Sequence, residues 1–321
     1  MSTRTTPVPV SPAGTPPVTD GGRGWLRRLR TNRSVLAGGV LLFAVIVLAL
    51  VIPPIAHLDP YAVDPAQRLA DPGSDHLLGT DTFGRDLLAR VAAGAKSSLI
   101  VGGAVAVLSG VIGTAIGVLS STFKVLDQLL MRVCDGLMAI PALLLAVALA
   151  AALGPSVPNL VVALTVVATP SVARLVRSRA LAVMSETFVE ASRAQGAGPW
   201  HIIAKHVLPN VLSVLAVQIT FIFADAIITE AALSFLGAGV PTPQPSWGNI
   251  LYDGKGVILQ APMMTVAASL ALVLTVLALN LLGDGLRDVV DPRANRSGKQ
   301  PGMLTRLIGA RRPGPAAQDG I

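Results

Sequence analysis

The sequence predicts an all-α polytopic membrane protein with six transmembrane helices, and three observations carry that prediction. Apolar residues make up 52% of the 321 residues and charged ones only 13%, with a mean hydropathy of +0.65, a balance foreign to soluble domains. The apolar residues gather into six runs of spanning length, near 34–56, 97–120, 136–153, 159–176, 210–232 and 262–283. The basic residues between those runs are distributed unevenly. With the N-terminus in the cytoplasm, the inner segments hold six Lys and Arg in the N-terminal tail, two at Lys124 and Arg132, five from Arg174 to Lys205 and seven after residue 284, which is 20 of the 25. Such an excess marks the cytoplasmic side, so both termini are expected there. The formal charge of +7 is thereby topological: the partner it implies is a lipid bilayer, and nucleic acid is not expected.

Taken in order, 1–33 is rich in Pro, Thr, Gly and Arg, with almost no large apolar residue before Trp25. Burial cannot offset its ordering entropy, and a disordered cytoplasmic tail is expected. Arg23, Arg27, Arg28, Arg30 and Arg33 lead into the first transmembrane helix at 34–56. A cleaved secretory signal competes with this reading, but the tail is long and no small-x-small cleavage site follows, which favours an uncleaved anchor. Residues 57–96 contain Pro60, Pro65 and Pro72 and six aspartates from Asp59 to Asp86. They lack the alternating oxygen ligands and terminal Glu of a calcium loop, so a solvated extracytoplasmic segment with local Asp/Arg pairing is expected.

Residues 97–284 hold the other five spans. The second span carries Gly103, Ala106, Gly110, Gly113 and Gly117 at helical spacing, a smooth stripe for close helix approach where lipid supplies no hydrophobic drive. Gly154-Pro155-Ser156-Val157-Pro158 is a tight turn that folds the third and fourth spans into an antiparallel hairpin. Lone Cys134 permits no intrachain disulfide and has no zinc-site neighbours. Residues 285–321 form the expected cytoplasmic C-terminal tail.

The longest polar amphipathic stretch, 185–209, reads as two short helices and a turn. Ser185 is read as the N-cap with Glu186 in the first turn, and Gly196 stands where a helix end takes positive φ. Pro199 suits the first turn of the second helix, Trp200, Ile203 and Val207 form its apolar face, and Pro209 ends it. This unit cannot bury its apolar faces alone and calls for a partner.

Catalytic chemistry has no residues to stand on. Gly94-Ala95-Lys96-Ser97 and Gly254-Lys255-Gly256 each miss a required position of a phosphate-binding loop. His57, His76, His201 and His206 form neither a metal pair with a supporting carboxylate nor a nucleophile triad. Two acids fall within the fifth span, Asp225 well inside and Glu230 near its outer end. A carboxylate at that depth is costly unless it faces a wet cavity or a partner, so both are candidates for a pore or an interface.

The stretch 185–209 resembles the cytoplasmic EAA loop of permease subunits of binding-protein-dependent ABC importers: Glu190-Ala191-Ser192, then Gly196, then Leu208-Pro209. Ser192 stands where that family often has Ala and His206 where it has Ile. His76-Leu77-Leu78-Gly79-Thr80-Asp81-Thr82-Phe83-Gly84-Arg85-Asp86 is similar to the dipeptide/oligopeptide/nickel branch, in its second permease (the DppC/OppC type). So are the stretch from Glu230 through Leu236 to Gly239 and Pro245-Ser246-Trp247-Gly248-Asn249. Gly283-Asp284-Gly285-Leu286-Arg287-Asp288 with Asp291-Pro292-Arg293 matches the family's ending. The resemblance covers about 30–295.

It implies a type I ABC importer transmembrane domain in a bacterial inner membrane, forming half of a translocation pathway with a homologous second permease. Two separate ABC ATPase subunits would bind ATP and Mg, with no cofactor in this chain, and an extracytoplasmic solute-binding protein would deliver the solute. The EAA loop would be the coupling helix, with Glu190, Ala191, Ser192, Gly196, Leu208 and Pro209 carrying the ATPase contact. Short peptides are the expected solute and nickel chelates or other small solutes the alternative. An ion-coupled carrier using Asp225 would require two matching halves with broken helices, and no such repeat is found. A DNA-binding helix-turn-helix is excluded by spans tethering both ends of the unit.

Overall fold

The computed structural model describes residues 31–55 and 59–290, and its regular elements are helices. The tail expectations for 1–33 and 285–321, and the Asp291-Pro292-Arg293 ending, lie largely outside these residues. The first helix, α1 (Arg33–Leu50), starts where the Asn32 side chain accepts the Ser34 and Val35 amides, satisfying donors that a helix start leaves open. A short α2 (Ile52–Ile55) continues it, giving a first span of 23 residues.

The second long helix, α3 (Leu87–Thr122), has 36 residues and begins ten residues before the expected 97–120 run. Asp86 sets that start, since its Oδ1 accepts the Ala89 amide at 2.8 Å. Part of the stretch assigned to the outer polar segment is therefore helix, with Leu87, Ala89, Arg90, Val91, Ala92 and Ala95 buried.

The expected third span, 136–153, is a broken element. Helix α4 (Lys124–Met138) and helix α5 (Ala142–Leu153) meet at 95°. Pro141 stands at the break, where it disfavours helical geometry for the residue before it and cannot donate back into a preceding turn. Among the described residues five helices are long and apolar enough to cross a membrane, and six spans result when the bent pair is counted as one. Helix α6 (Val157–Met184) follows, its first turn capped by Ser156 Oγ on the Asn159 amide. The Gly154 turn between α5 and α6 has φ 85°, and the two helices pack together as the expected hairpin.

Beyond α6 come α7 (Thr187–Ala194), α8 (Pro199–Ile202), a π-helical turn at Ile203–Val207, α9 (Leu208–Phe235), α10 (Trp247–Gly254) and α11 (Pro262–Val290). Helix α3 is the hub, packed against α6 and α9. The glycine stripe serves two neighbours rather than one. A Cβ on Gly113 or Gly117 would lie 2.5 Å from Val172 Cβ or 2.6 Å from the Ala173 carbonyl on α6, whereas Gly110 faces Ile219 on α9. Close backbone approach replaces hydrophobic drive, as membrane helix packing requires.

The end of the bundle that holds residues 59–86 and α10 is built from polar groups that find partners inside the chain. Trp247 is fully buried, with its indole N–H donated to the Val91 carbonyl at 3.1 Å. The carboxylate of Asp81, 1% exposed, receives Arg85 Nε at 2.6 Å and Arg90 Nε at 3.2 Å. Its Oδ1 also accepts the Phe83 and Arg85 amides, and Arg85 Nη2 lies 3.6 Å from Asp253 on α10. Burial holds the Asp253 carboxyl above the ordinary aspartate range against the pull of Arg90 and Arg85. His76 Nδ1 contacts Asp86 Oδ2 at 2.8 Å. The expected local Asp/Arg pairing is present, but the expectation that it is solvated is corrected: the C-terminal part of the segment is a buried ionic knot. Interleaved Asp and Arg neutralise one another there, which offsets a desolvation that neither could bear alone.

Candidate functional site

Helix α7 carries the Glu190-Ala191 pair on its exposed side, while Val189 is fully buried and anchors the opposite side. The expected N-cap is corrected. Ser185 closes α6, its hydroxyl donating to the Ala182 carbonyl, and Glu186 takes the N-cap position of α7 without a side-chain cap bond. Helix α6 simply runs on to Met184 and uses Ser185 itself.

Gly196 has φ 87°. Its amide donates to Arg193 O at 2.9 Å and the Ala197 amide donates to Ser192 O at 3.1 Å, the paired bonds of a Schellman ending with a left-handed residue after the cap. A Cβ on Gly196 would meet nothing within 4 Å, so the glycine is required here by backbone conformation and not by crowding inside this chain. Ala197 packs into the inner core cluster beside Val189 and Ile202, which fixes the direction in which α8 leaves.

Pro199 opens α8 as expected, but Pro209 does not end the second helix. The Leu208 amide bonds to Ile203 O, five residues back, and helical structure continues from Pro199 to Phe235, 37 residues. One widened turn absorbs the donor and the space that proline denies a regular α-helix. Leu208 and Pro209 thus join the 185–209 unit to α9. Of the expected apolar face, Ile203 and Val207 are buried, whereas Trp200 is 64% exposed beside Phe123, at 6.0 Å between ring centres. Phe188 is also exposed, against His206 at 5.5 Å.

The two acids of the fifth span are separated by the structure. Glu230 is fully buried, its oxygens accepting Ser98 Oγ of α3 and Ser234 Oγ of α9 at 2.7 Å each, with buried Ser246 at the same carboxyl. It knits α3, α9 and the start of α10. Asp225 is exposed and lines a cavity of about 320 Å³ at the break between α4 and α5.

A second, charged cavity on the same flank escaped the sequence reading. Arg177 Nε and Nη2 donate to the two oxygens of Asp127 at 2.5 and 2.7 Å, and Arg174 donates to Asp135 at 2.6 Å. The available signal was Arg174 and Arg177 at i and i+3, one face of a helix, near the end of an apolar run.

Comparison with known proteins places this geometry. The family described as binding-protein-dependent transport system inner membrane component matches residues 109–296, and the N-terminal TM domain of oligopeptide transport permease C matches 22–72. A Brucella abortus permease protein named for peptide transport is 46% identical over 272 residues, covering 85% of this chain and 92% of that protein. The dipeptide transport system permease protein DppC of Alkalihalophilus pseudofirmus is 37% identical over 268 residues, covering 83% and 88%. Among solved structures, an inward-facing MetNI methionine ABC transporter chain is similar with a TM-score of 0.53 and 27% identity, covering 63% of this chain and 96% of that one. A multi-pass helical chain with these matches is a membrane component of an ABC importer. This chain belongs to the binding-protein-dependent transport system inner membrane component family and is a permease subunit.

Proposed function

We propose that this chain forms half of the pathway by which short peptides are imported into a bacterial cell across the inner membrane. It works beside a homologous second permease, two ATP-hydrolysing subunits and an extracytoplasmic solute-binding protein. The observation that carries the peptide assignment is the 46% identity over 85% of the chain to a permease named for peptide transport, joined by a dipeptide permease at 37%. In this reading the termini and the unit 185–209 face the cytoplasm, and the ionic knot around Asp81 faces outside, in line with the distribution of Lys and Arg. Glu190, Ala191, Ser192 and Gly196 meet the ATPase, with Phe188 and Trp200 as exposed apolar handles. Leu208 and Pro209 transmit the push because α8, the π turn and α9 form one helical run. ATP-driven closure of the ATPases then biases the pathway between inward- and outward-facing states through differential contacts.

The complete complex reconstituted in proteoliposomes is expected to accumulate di- to pentapeptides when ATP is enclosed on the ATPase side and loaded binding protein is outside. Failure to move peptides, with a nickel chelate or another small solute transported instead, would replace the solute and keep the architecture. Single cysteines in a Cys134→Ala background, labelled in intact cells with an impermeant maleimide, test orientation. Labelling is expected at position 71 and not at 193, and the reverse pattern inverts the topology.

A further inference from the structure

Asp225 stands seven residues from the Ala232 end of the apolar run 210–232, about 10 Å along a helix and so within a hydrocarbon core about 30 Å thick. Its carboxylate makes no hydrogen bond or ion pair among the described residues, in contrast to Glu230 with its serines. It opens into the 320 Å³ cavity whose walls include Leu137, Pro141, Leu164 and Ile222, with Ser171 and Thr229 as the other polar side chains. An unpaired carboxylate at this depth cannot face lipid hydrocarbon; it faces water, a partner or a passing ligand.

The position of the cavity favours the ligand. Ser171, Arg174 and Arg177 follow one another at i, i+3 and i+6 along α6, and Asp135 lies just before Leu137 and Met138 on α4. The same two helices therefore line both the 320 Å³ cavity and the 750 Å³ charged cavity. The two cavities follow one another along α4 and α6, the charged cavity toward the Lys124 end of α4 and the largely apolar one at its break with α5. In the first, Asp127 and Asp135 are paired with Arg177 and Arg174, and Asp225 is the one acid lining the two cavities without such a partner.

We propose that Asp225 receives the primary ammonium group of a peptide in transit, at its N-terminus or on a lysine, as a weak station within the membrane. This rests on the peptide reading above. An α-ammonium is common to short peptides of any sequence and is largely protonated at neutral pH, so one carboxylate can guide varied solutes without choosing among them. The apolar walls and the absence of a second fixed charge at the station keep the hold loose, as release toward the charged mouth demands.

The test uses the complete complex in nanodiscs, with Thr229→Cys in a Cys134→Ala background and cysteine-free partner subunits. Thr229 sits one turn from Asp225 in the same cavity. The rate ratio of a cationic to an anionic methanethiosulfonate is expected to fall by about tenfold when Asp225→Asn is added, the scale of one nearby unit charge at intermediate dielectric. Millimolar tetraalanine is expected to slow labelling while Asp225 is present, and N-acetyl-tetraalanine is not. Protection by N-acetyl-lysyl-trialanine would extend the site to side-chain ammonium groups, and its failure would restrict it to the terminus. An unchanged charge ratio, or equal protection by tetraalanine and its acetylated form, overturns the proposal. These readouts need no uptake, so they fail independently of the peptide-import assay.

Discussion

At the end of the bundle that holds residues 59–86 and α10, Asp81, Arg85 and Arg90 are buried and each meets a charged partner within the chain. At the opposite end Glu190, Arg193 and Trp200 are exposed, and Gly196 turns the chain with open space around it. The first end is closed upon itself. The second is shaped by its own backbone bonds but leaves its side chains exposed, as the proposed grip by an ATPase requires. Substitutions at the first end should act on stability, and those at the second on coupling.

The largest effect is expected at Asp81. Asp81→Asn leaves Arg90, 2% exposed, without its nearest countercharge, and breaking a buried pair in this way costs about 3–5 kcal/mol. The purified complex should show a much lower melting temperature or fail to assemble. A variant with wild-type melting would show that water reaches the knot and that this end is not closed.

Glu230 comes next. Glu230→Ala strands the Ser98 and Ser234 hydroxyls, at about 1–3 kcal/mol for each buried group left unpaired. Glu230→Gln keeps an acceptor and a donor for the same serines and should recover most of the loss. Melting of both variants in the assembled complex checks this, and an equal loss in the two would mean that the charge, rather than the hydrogen bonding, is required.

Gly196→Val tests the other end. The positive φ costs a side chain about 1–2 kcal/mol, with no clash to add inside the chain. Melting should move little, while peptide uptake at fixed binding protein and ATP should drop by about tenfold if that strain is charged to docking of the turn. Uptake at the wild-type level would separate the turn from coupling.

The helical class, the apolar runs and the glycine of the turn are legible in the sequence because each is written in local pattern, whereas the early start of α3 at Asp86 and the break at Pro141 are not set by apolar length. What it hid depends on distance along the chain. Asp81 and Asp253 are far apart in sequence, as are Asp127 and Arg177, and nothing in the composition of 57–96 distinguishes a solvated aspartate from one enclosed by two arginines. Glu230 and Asp225 are alike as acids in one span, yet Ser98 on another helix and Ser246 reach the first, beside Ser234 of its own helix, while the second opens into a cavity. Pro209 misled for the opposite reason: the rule that proline stops a helix is local, and a π turn just before it changes the local rule.

The smallest effect is expected at Asp253, on the rim of the outer knot, where the side chain keeps 19% of its exposure and Arg85 stands 3.6 Å away. Asp253→Asn should shift stability at neutral pH by less than about 1 kcal/mol, the range of partly exposed pairs. The pH dependence is the sharper measurement. Burial raises the folded pKa of this carboxyl above its ordinary value, so the folded state binds the proton more tightly than the unfolded chain does. Stability from that proton is complete below the ordinary aspartate pKa of about 3.9 and is lost as pH rises through the higher folded value. Melting of wild type relative to Asp253→Asn should therefore improve as pH is lowered toward that range. The opposite slope would show that the pull of Arg85 and Arg90 exceeds burial and that the knot is charged out to its edge.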